Sequence, residues 1–187
     1  MNDLIESVLI SEEEINSITS SLAEKITEDY KNSDKTLVLL CLLKGSMLFM
    51  ADLVKKIPLT MEIEAMKVSS YGSATVSSGK VNIQLDLKRD DLSKIDILII
   101  EDIIDSGNTL SNICKHLRDK GAASVRTCTL LDKPSRREVD FTPDYCGKII
   151  PDKFVVGYGL DYDEKLRNLP YIGILKPEVY SECAIDA

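Results

Sequence analysis

The sequence predicts an α/β fold built on a mostly parallel central sheet, and three apolar runs carry that expectation: Thr36–Leu43, residues 97–100 and residues 125–131. Each is short and dominated by Val, Leu, Ile and Cys, the pattern of a strand covered on both faces. Segments of helical spacing separate them, and strands that alternate with helices lie side by side and parallel.

The first helix follows from Ser11 with Glu14 three residues on, a capping box, and from Ile15, Ile18, Leu22, Ile26 and Tyr30, which form one stripe. The run 36–43 breaks at Leu43-Lys44-Gly45-Ser46, and a helical segment from Met47 to Ile57 stops before Pro58. Residues 62–68 read as a strand. The small, polar stretch 69–79, with Tyr71 as its one aromatic, reads as a linker or as an active-site lid. The alternation of Val81, Ile83, Leu85 and Leu87 returns the chain as a hairpin, which favours a mobile lid over residues 70–79, with Ser70 and Tyr71 on it. After Asp132-Lys133-Pro134 closes the run 125–131, residues 154–162 read as a short strand with two glycines and residues 171–175 as the last strand.

A chain of 187 residues, 44% of them hydrophobic, has the size of one domain, residues 1–187. A net charge of -8 and a pI of 4.8 without a basic run argue against a nucleic-acid or anionic-membrane surface, so any phosphate binding is local. The five cysteines are odd in number and contain no C-x-x-C pair, which argues against a disulfide framework or a zinc site. Acids where a leader needs a basic region, and no apolar run long enough to cross a bilayer, point to the cytoplasm. His116, the only histidine, suits a surface position near a helix end, and a histidine triad is excluded.

The chemistry concentrates in residues 97–110, ILIIEDIIDSGNTL. Polarity begins at Glu101 and marks the carboxyl end of the strand, where such sheets bind ligands. Asp105-Ser106-Gly107-Asn108-Thr109 is a tight turn before Leu110, Ile113, Cys114 and Leu117 at helical spacing, closed by Gly121. A turn that feeds a helix presents free backbone N–H groups, and these bind phosphate. Singly, Asp105 or Ser106 could cap the helix, and Glu101 with Asp102 could solvate a strand end. Together, two adjacent acids, two isoleucines, a third acid and a Ser-Gly turn exceed what a cap requires. Lys44, beside a glycine and a helix start, suits a diphosphate, though it also reads as a solvated loop lysine. No G-x-x-x-x-G-K-[ST] occurs, and Gly157-x-Gly159 lacks the third glycine of a dinucleotide fingerprint.

Residues 97–110 resemble the phosphoribosyl pyrophosphate motif of the type I phosphoribosyltransferases. With Leu43-Lys44-Gly45, Ser70-Tyr71-Gly72, LDKPSRR at 131–137 and PDKFVVGYGLDY at 151–162 in order, the chain resembles the bacterial hypoxanthine-guanine phosphoribosyltransferases from about Thr36 to Leu175. The resemblance implies the type I phosphoribosyltransferase fold, a mostly parallel sheet flanked by helices with a small hood and a flexible lid. It implies purine salvage: transfer of the 5-phosphoribosyl group of phosphoribosyl pyrophosphate to a 6-oxopurine, with Mg²⁺, by a homodimer or homotetramer. Glu101 and Asp102 would hold the ribose hydroxyls, and the turn Asp105, Ser106, Gly107, Asn108 and Thr109 would wrap the 5-phosphate. Lys44 and Gly45, on a pyrophosphate loop with a cis Leu43–Lys44 peptide, and Arg167 would contact pyrophosphate. Asp105 would be the general base toward purine N7, Lys133 the donor to the 6-oxo group, Phe154 the stacking ring, Val155 a backbone contact and Asp161 a further purine contact. Glu101, Asp102 and Asp161 would form the metal shell. Asn108 stands where other members have lysine.

The chemistry agrees with those residue types. Displacing pyrophosphate from ribose C1 builds positive charge on the sugar and negative charge on the leaving group, so acids belong near the one and cations near the other. A regulator that uses this fold to bind RNA would need a basic face. An enzyme of the same fold that takes xanthine would differ around Lys133 and residues 154–161.

Overall fold

The computed structural model describes residues 2–69, 82–89 and 91–181. The expected lid, with Ser70 and Tyr71, lies outside the described residues, as does Cys183. The elements run β1 (Ile5–Ile10), α1 (Glu12–Tyr30), β2 (Thr36–Leu43), α2 (Met47–Val54), β3 (Glu62–Ser69), β4 (Asn82–Leu85), β5 (Ile95–Ile104), α3 (Asn108–Asp119), β6 (Ser124–Asp132), β7 (Tyr145–Ile149), β8 (Val155–Val156), β9 (Ile172–Leu175) and α4 (Pro177–Ser181).

Six strands form the main sheet in the order β4-β3-β2-β5-β6-β7. Every neighbouring pair is parallel except β3 with β4, the expected hairpin. The unbroken apolar runs are explained by the layers. Leu37, Leu39, Cys41, Leu98 and Ile100 pack with Leu22, Ile26, Phe49 and Leu53 of α1 and α2. Their alternates Val38, Leu40, Leu42, Ile97 and Ile99 pack with Leu110, Ile113 and Leu117 of α3. Each strand residue thus finds apolar cover on one face or the other.

A second sheet, β1-β9-β8, is antiparallel. Its first strand escapes sequence reasoning because only Ile5 and Ile10 of IESVLI are buried, which leaves no period of two to detect. The edge strand β7 escapes for the same reason, with Tyr145 as its one buried residue. Residues 154–162 form a strand only at Val155–Val156, because φ is positive at Gly157 (99°), Tyr158 (49°) and Gly159 (101°) and the chain turns back on itself. The second helix ends at Val54, short of Ile57.

At α1 the Ser11 Oγ accepts the Glu14 amide at 3.2 Å, so half of the capping box forms. The Glu14 carboxylate turns instead to Lys148 of β7. Cys41, Cys114 and Cys128 are buried thiols and Cys146 is partly buried, all unpaired. No helix among the described residues is long and apolar enough to cross a membrane.

Candidate active site

The site begins where β5 loses a neighbour. Its pairing with β2 ends at Cys41↔Ile100, while β6 continues alongside to Ile104↔Asp132. Glu101 therefore does not end the strand, as its polarity suggests, but starts a stretch paired on one side only. A crevice at the carboxyl end of a parallel sheet results. Into it turns Leu43–Lys44, a cis peptide, followed by Gly45. A Cβ on Gly45 would lie 1.7 Å from Asp102 Oδ2, and one on Gly159 would lie 1.9 Å from the Gly45 carbonyl oxygen. Both glycines are required by this stacking: the turn at Gly45 sits on Asp102, and the loop at Gly159 sits on that turn.

Asp102 is buried, with Oδ1 accepting the Ile103 amide at 2.7 Å. Glu101 is partly exposed as a residue, yet its Oε2 is sealed from solvent and has no hydrogen-bond partner. Burial first, and the adjacent charge of Asp102 second, push the Glu101 carboxyl well above its ordinary value of 4.5. Burial raises Asp102 as well. Such an acid destabilises the fold once ionised. The stability linked to Glu101 is complete below about pH 4.5 and is lost as pH rises through its raised value. Glu101→Gln is therefore expected to melt about 2–4 °C above wild type at pH 7.5 without metal, the gain shrinking toward pH 4.5. Thermal unfolding across that range checks it, and a lower melting point at pH 7.5 would contradict it.

Beyond β5 the turn at 105–107 is laced by a neighbouring loop. The carbonyl oxygen of Asp105 accepts Arg137 Nη1 at 2.5 Å, and that of Ser106 accepts the amides of Glu138 and Val139 at 3.0 and 3.4 Å. Arg137 Nη2 also donates to Asp132 Oδ1 at 2.5 Å, tying the turn to the end of β6. Gly107, with φ 84°, is the N-cap of α3. Asp105 is thus not the cap. A cavity of about 190 Å³ is lined by Glu101, Asp105, Ser106, Gly107 and Thr109. Asn108 belongs to the lacing, since its Nδ2 donates to Glu138 Oε2 at 2.6 Å.

Lys133, 6% exposed, stands at the end of β6 with its amide on the Ile104 carbonyl and its Nζ 3.8 Å from Asp105 Oδ1. Arg136 Nε is 4.0 Å from the same oxygen. Phe154 is partly exposed, stacked on Tyr180 at 5.2 Å and edge-on to Tyr162 at 5.7 Å. Val155 lies on β8, an edge strand of its sheet. On the other side of the crevice, Arg167 Nη1 donates to the Gly159 carbonyl at 2.7 Å and Nη2 lies 2.8 Å from Asp161 Oδ1.

The phosphoribosyl transferase domain family matches residues 10–163. The chain belongs to the phosphoribosyltransferase family. It is 51% identical over 182 residues to a hypoxanthine-guanine phosphoribosyltransferase of Staphylococcus epidermidis, covering 97% of this chain and 100% of that one. Its fold matches a crystal structure of a hypoxanthine phosphoribosyltransferase from Staphylococcus aureus with a TM-score of 0.89 and 49% identity, over 95% of each chain. It also matches the Trypanosoma cruzi hypoxanthine phosphoribosyltransferase in complex with the product IMP, with a TM-score of 0.90 and 39% identity over 96% of this chain and 99% of that one. The main sheet with its helices is the phosphoribosyltransferase fold expected from the sequence.

In this phosphoribosyltransferase Lys44, Gly45, Glu101, Asp102, residues 105–109, Lys133, Asp161 and Arg167 lie around one end of the main sheet, while Val155 lies on β8 of the small sheet and Phe154 packs against Tyr162 and Tyr180. Sequence reasoning missed Arg137 and Glu138, which hold the 105–107 turn, the aromatic neighbours Tyr162 and Tyr180 of Phe154, and Glu164. Arg137 had a signal in the quoted LDKPSRR segment; Tyr180 had none, since its contact depends on how α4 packs. His116 sits in the last turn of α3 with Nε2 2.9 Å from Asp86 Oδ2, among none of these residues. A larger hollow of about 660 Å³ opens between α1, α2 and residues 168–170, and it contains neither the acids nor the phosphate turn.

Proposed function

We propose that the chain is a purine-salvage enzyme that transfers the 5-phosphoribosyl group of phosphoribosyl pyrophosphate to hypoxanthine and guanine, giving IMP or GMP and pyrophosphate. The observation that carries this reading is a convergence at one sheet end. The buried Asp102, Glu101 with its sealed Oε2, a phosphate turn at a helix start, and Lys44 with Arg167 surround a crevice that also holds Asp105 and Lys133.

In this reading the amides of residues 106–109 and the α3 N-terminus bind the 5-phosphate, and Lys44 and Arg167 face the pyrophosphate. Glu101 and Asp102 accept from the ribose hydroxyls and stabilise positive charge at C1. Asp105 removes the N7 proton as the purine attacks C1 and pyrophosphate departs, while Lys133 donates to the 6-oxo group and Phe154 stacks on the ring. The closeness of Lys133 to Asp105 fits a base whose charge develops between them.

A Mg²⁺ ion belongs to the same reading. Among the described residues no three His, Cys, Asp or Glu side chains gather to hold an ion. Mg²⁺ keeps several waters and takes one or two carboxylates plus substrate phosphates, so two acids with an orphaned buried oxygen fit it. When bound it would neutralise the leaving pyrophosphate. Glu101 and Asp102 would hold it; Asp161, with Oδ1 on Arg167 and Oδ2 on the Glu164 amide, would join through water.

One domain spanning residues 1–187, a lid over 70–79 with Ser70 and Tyr71, a cytoplasmic site of action and a homodimer or homotetramer complete the proposal. Pyrophosphate release from phosphoribosyl pyrophosphate with Mg²⁺, measured against a panel of hypoxanthine, guanine, xanthine and adenine, tests it. Turnover with the first two supports it, and no turnover with any base sinks it.

A further inference from the structure

Lys44 and Arg167, the two cations assigned to pyrophosphate, meet on one carboxylate that the transfer reaction does not require. Glu164 Oε2 accepts from Lys44 Nζ at 2.8 Å and lies 3.3 Å from Arg167 Nη2. Packing does not call for this contact, because the Glu164 side chain is 65% exposed. The turn that presents Glu164 is set by its own backbone bonds. Asp163 and Glu164, with φ of 50° and 60°, are the central residues of a two-residue hairpin turn closed by reciprocal Tyr162 and Lys165 backbone bonds at 3.1 and 3.0 Å, and the Glu164 amide is held by Asp161 Oδ2 at 2.9 Å.

We propose that Glu164 is a displaceable counter-ion for the pyrophosphate subsite, pairing with Lys44 and Arg167 while the subsite is empty and releasing them when pyrophosphate binds. This rests on the phosphoribosyl transfer reading above. Exposed ion pairs are weak, so a diphosphate with several charges displaces the carboxylate. The exchange still lowers pyrophosphate affinity, since two contacts are lost and a like charge stays nearby. Arg167 does not need Glu164 for its position, because Asp161 and the Gly159 carbonyl hold it independently. Glu164 is therefore a positioning residue that eases departure of the leaving group at the end of turnover.

The sign of the effect separates this role from a structural one. Glu164→Gln and Glu164→Ala are expected to bind inorganic pyrophosphate with Mg²⁺ about three- to tenfold more tightly than wild type in calorimetric titration, and to show stronger product inhibition. Glu164→Asp, which keeps the charge, is expected to return toward the wild-type affinity. Melting temperatures near wild type in all three would accompany this. Unchanged or weaker pyrophosphate binding in the Gln and Ala variants overturns the proposal while leaving the enzyme's assignment intact. Wild-type protein that neither binds pyrophosphate nor turns over a 6-oxopurine overturns both.

Discussion

Asp105→Asn is expected to lower kcat by about 10²- to 10⁴-fold, the usual span for loss of a general base, with little change in binding of phosphoribosyl pyrophosphate. The amide keeps the shape of the side chain, and what holds the turn is untouched. The Asp105 carbonyl still accepts from Arg137, and Gly107 remains the N-cap of α3. A capping role is ruled out by that geometry. The Asp105 side chain is half-exposed and lines the cavity, while its Oδ1 is sealed from solvent without a hydrogen-bond partner, 3.8 Å from Lys133 Nζ and 4.0 Å from Arg136 Nε. Steady-state turnover with hypoxanthine, together with the KM for phosphoribosyl pyrophosphate, measures the effect. Near wild-type kcat would remove Asp105 from proton transfer.

Lys133→Met is expected to cut turnover of hypoxanthine and guanine severely while leaving a low adenine rate almost unchanged. A buried ammonium can donate to a 6-oxo group but cannot accept from a 6-amino group, and sites that rely on such a contact discriminate by roughly 10⁴-fold or more. The position supports this use. Lys133 is buried, and its amide is fixed to Ile104 across the end of the sheet, so the side chain starts from a rigid point. Its Nζ stands 3.8 Å from Asp105 Oδ1, longer than a hydrogen bond, which leaves its donors for a ligand. Rates for the three bases, with a melting curve of the variant, decide the matter. An equal fall for all three bases would mean that Lys133 serves Asp105 or the fold, and base choice would then lie in the backbone near Val155 and Asp161.

What the sequence determined by itself is what neighbours along the chain determine. The continuous runs in β2, β5 and β6 are legible because helices cover both sheet faces. The helix start at Ser11 is legible because its cap acts within three residues. The turn at 105–109 is legible because strand end, glycine and helix start are consecutive. Elsewhere the tertiary structure overrides the local pattern. Glu101 looked like a strand end, yet β6 carries β5 on to Ile104. Residues 154–162 looked like a strand, yet positive φ values fold them back. β1 looked like nothing, because four of its six residues are not buried.

Only the tertiary structure decided which side chains meet. Glu164 reaches Lys44 across 120 positions, and does so because Gly159 lets its loop lie on the Gly45 carbonyl, which in turn lies on Asp102. Arg137 reaches back 32 positions to the Asp105 carbonyl because β5 and β6 end side by side. Such contacts carry no periodicity and no local motif. They arise when packed layers bring loop ends together, and so chain neighbours cannot encode them one at a time.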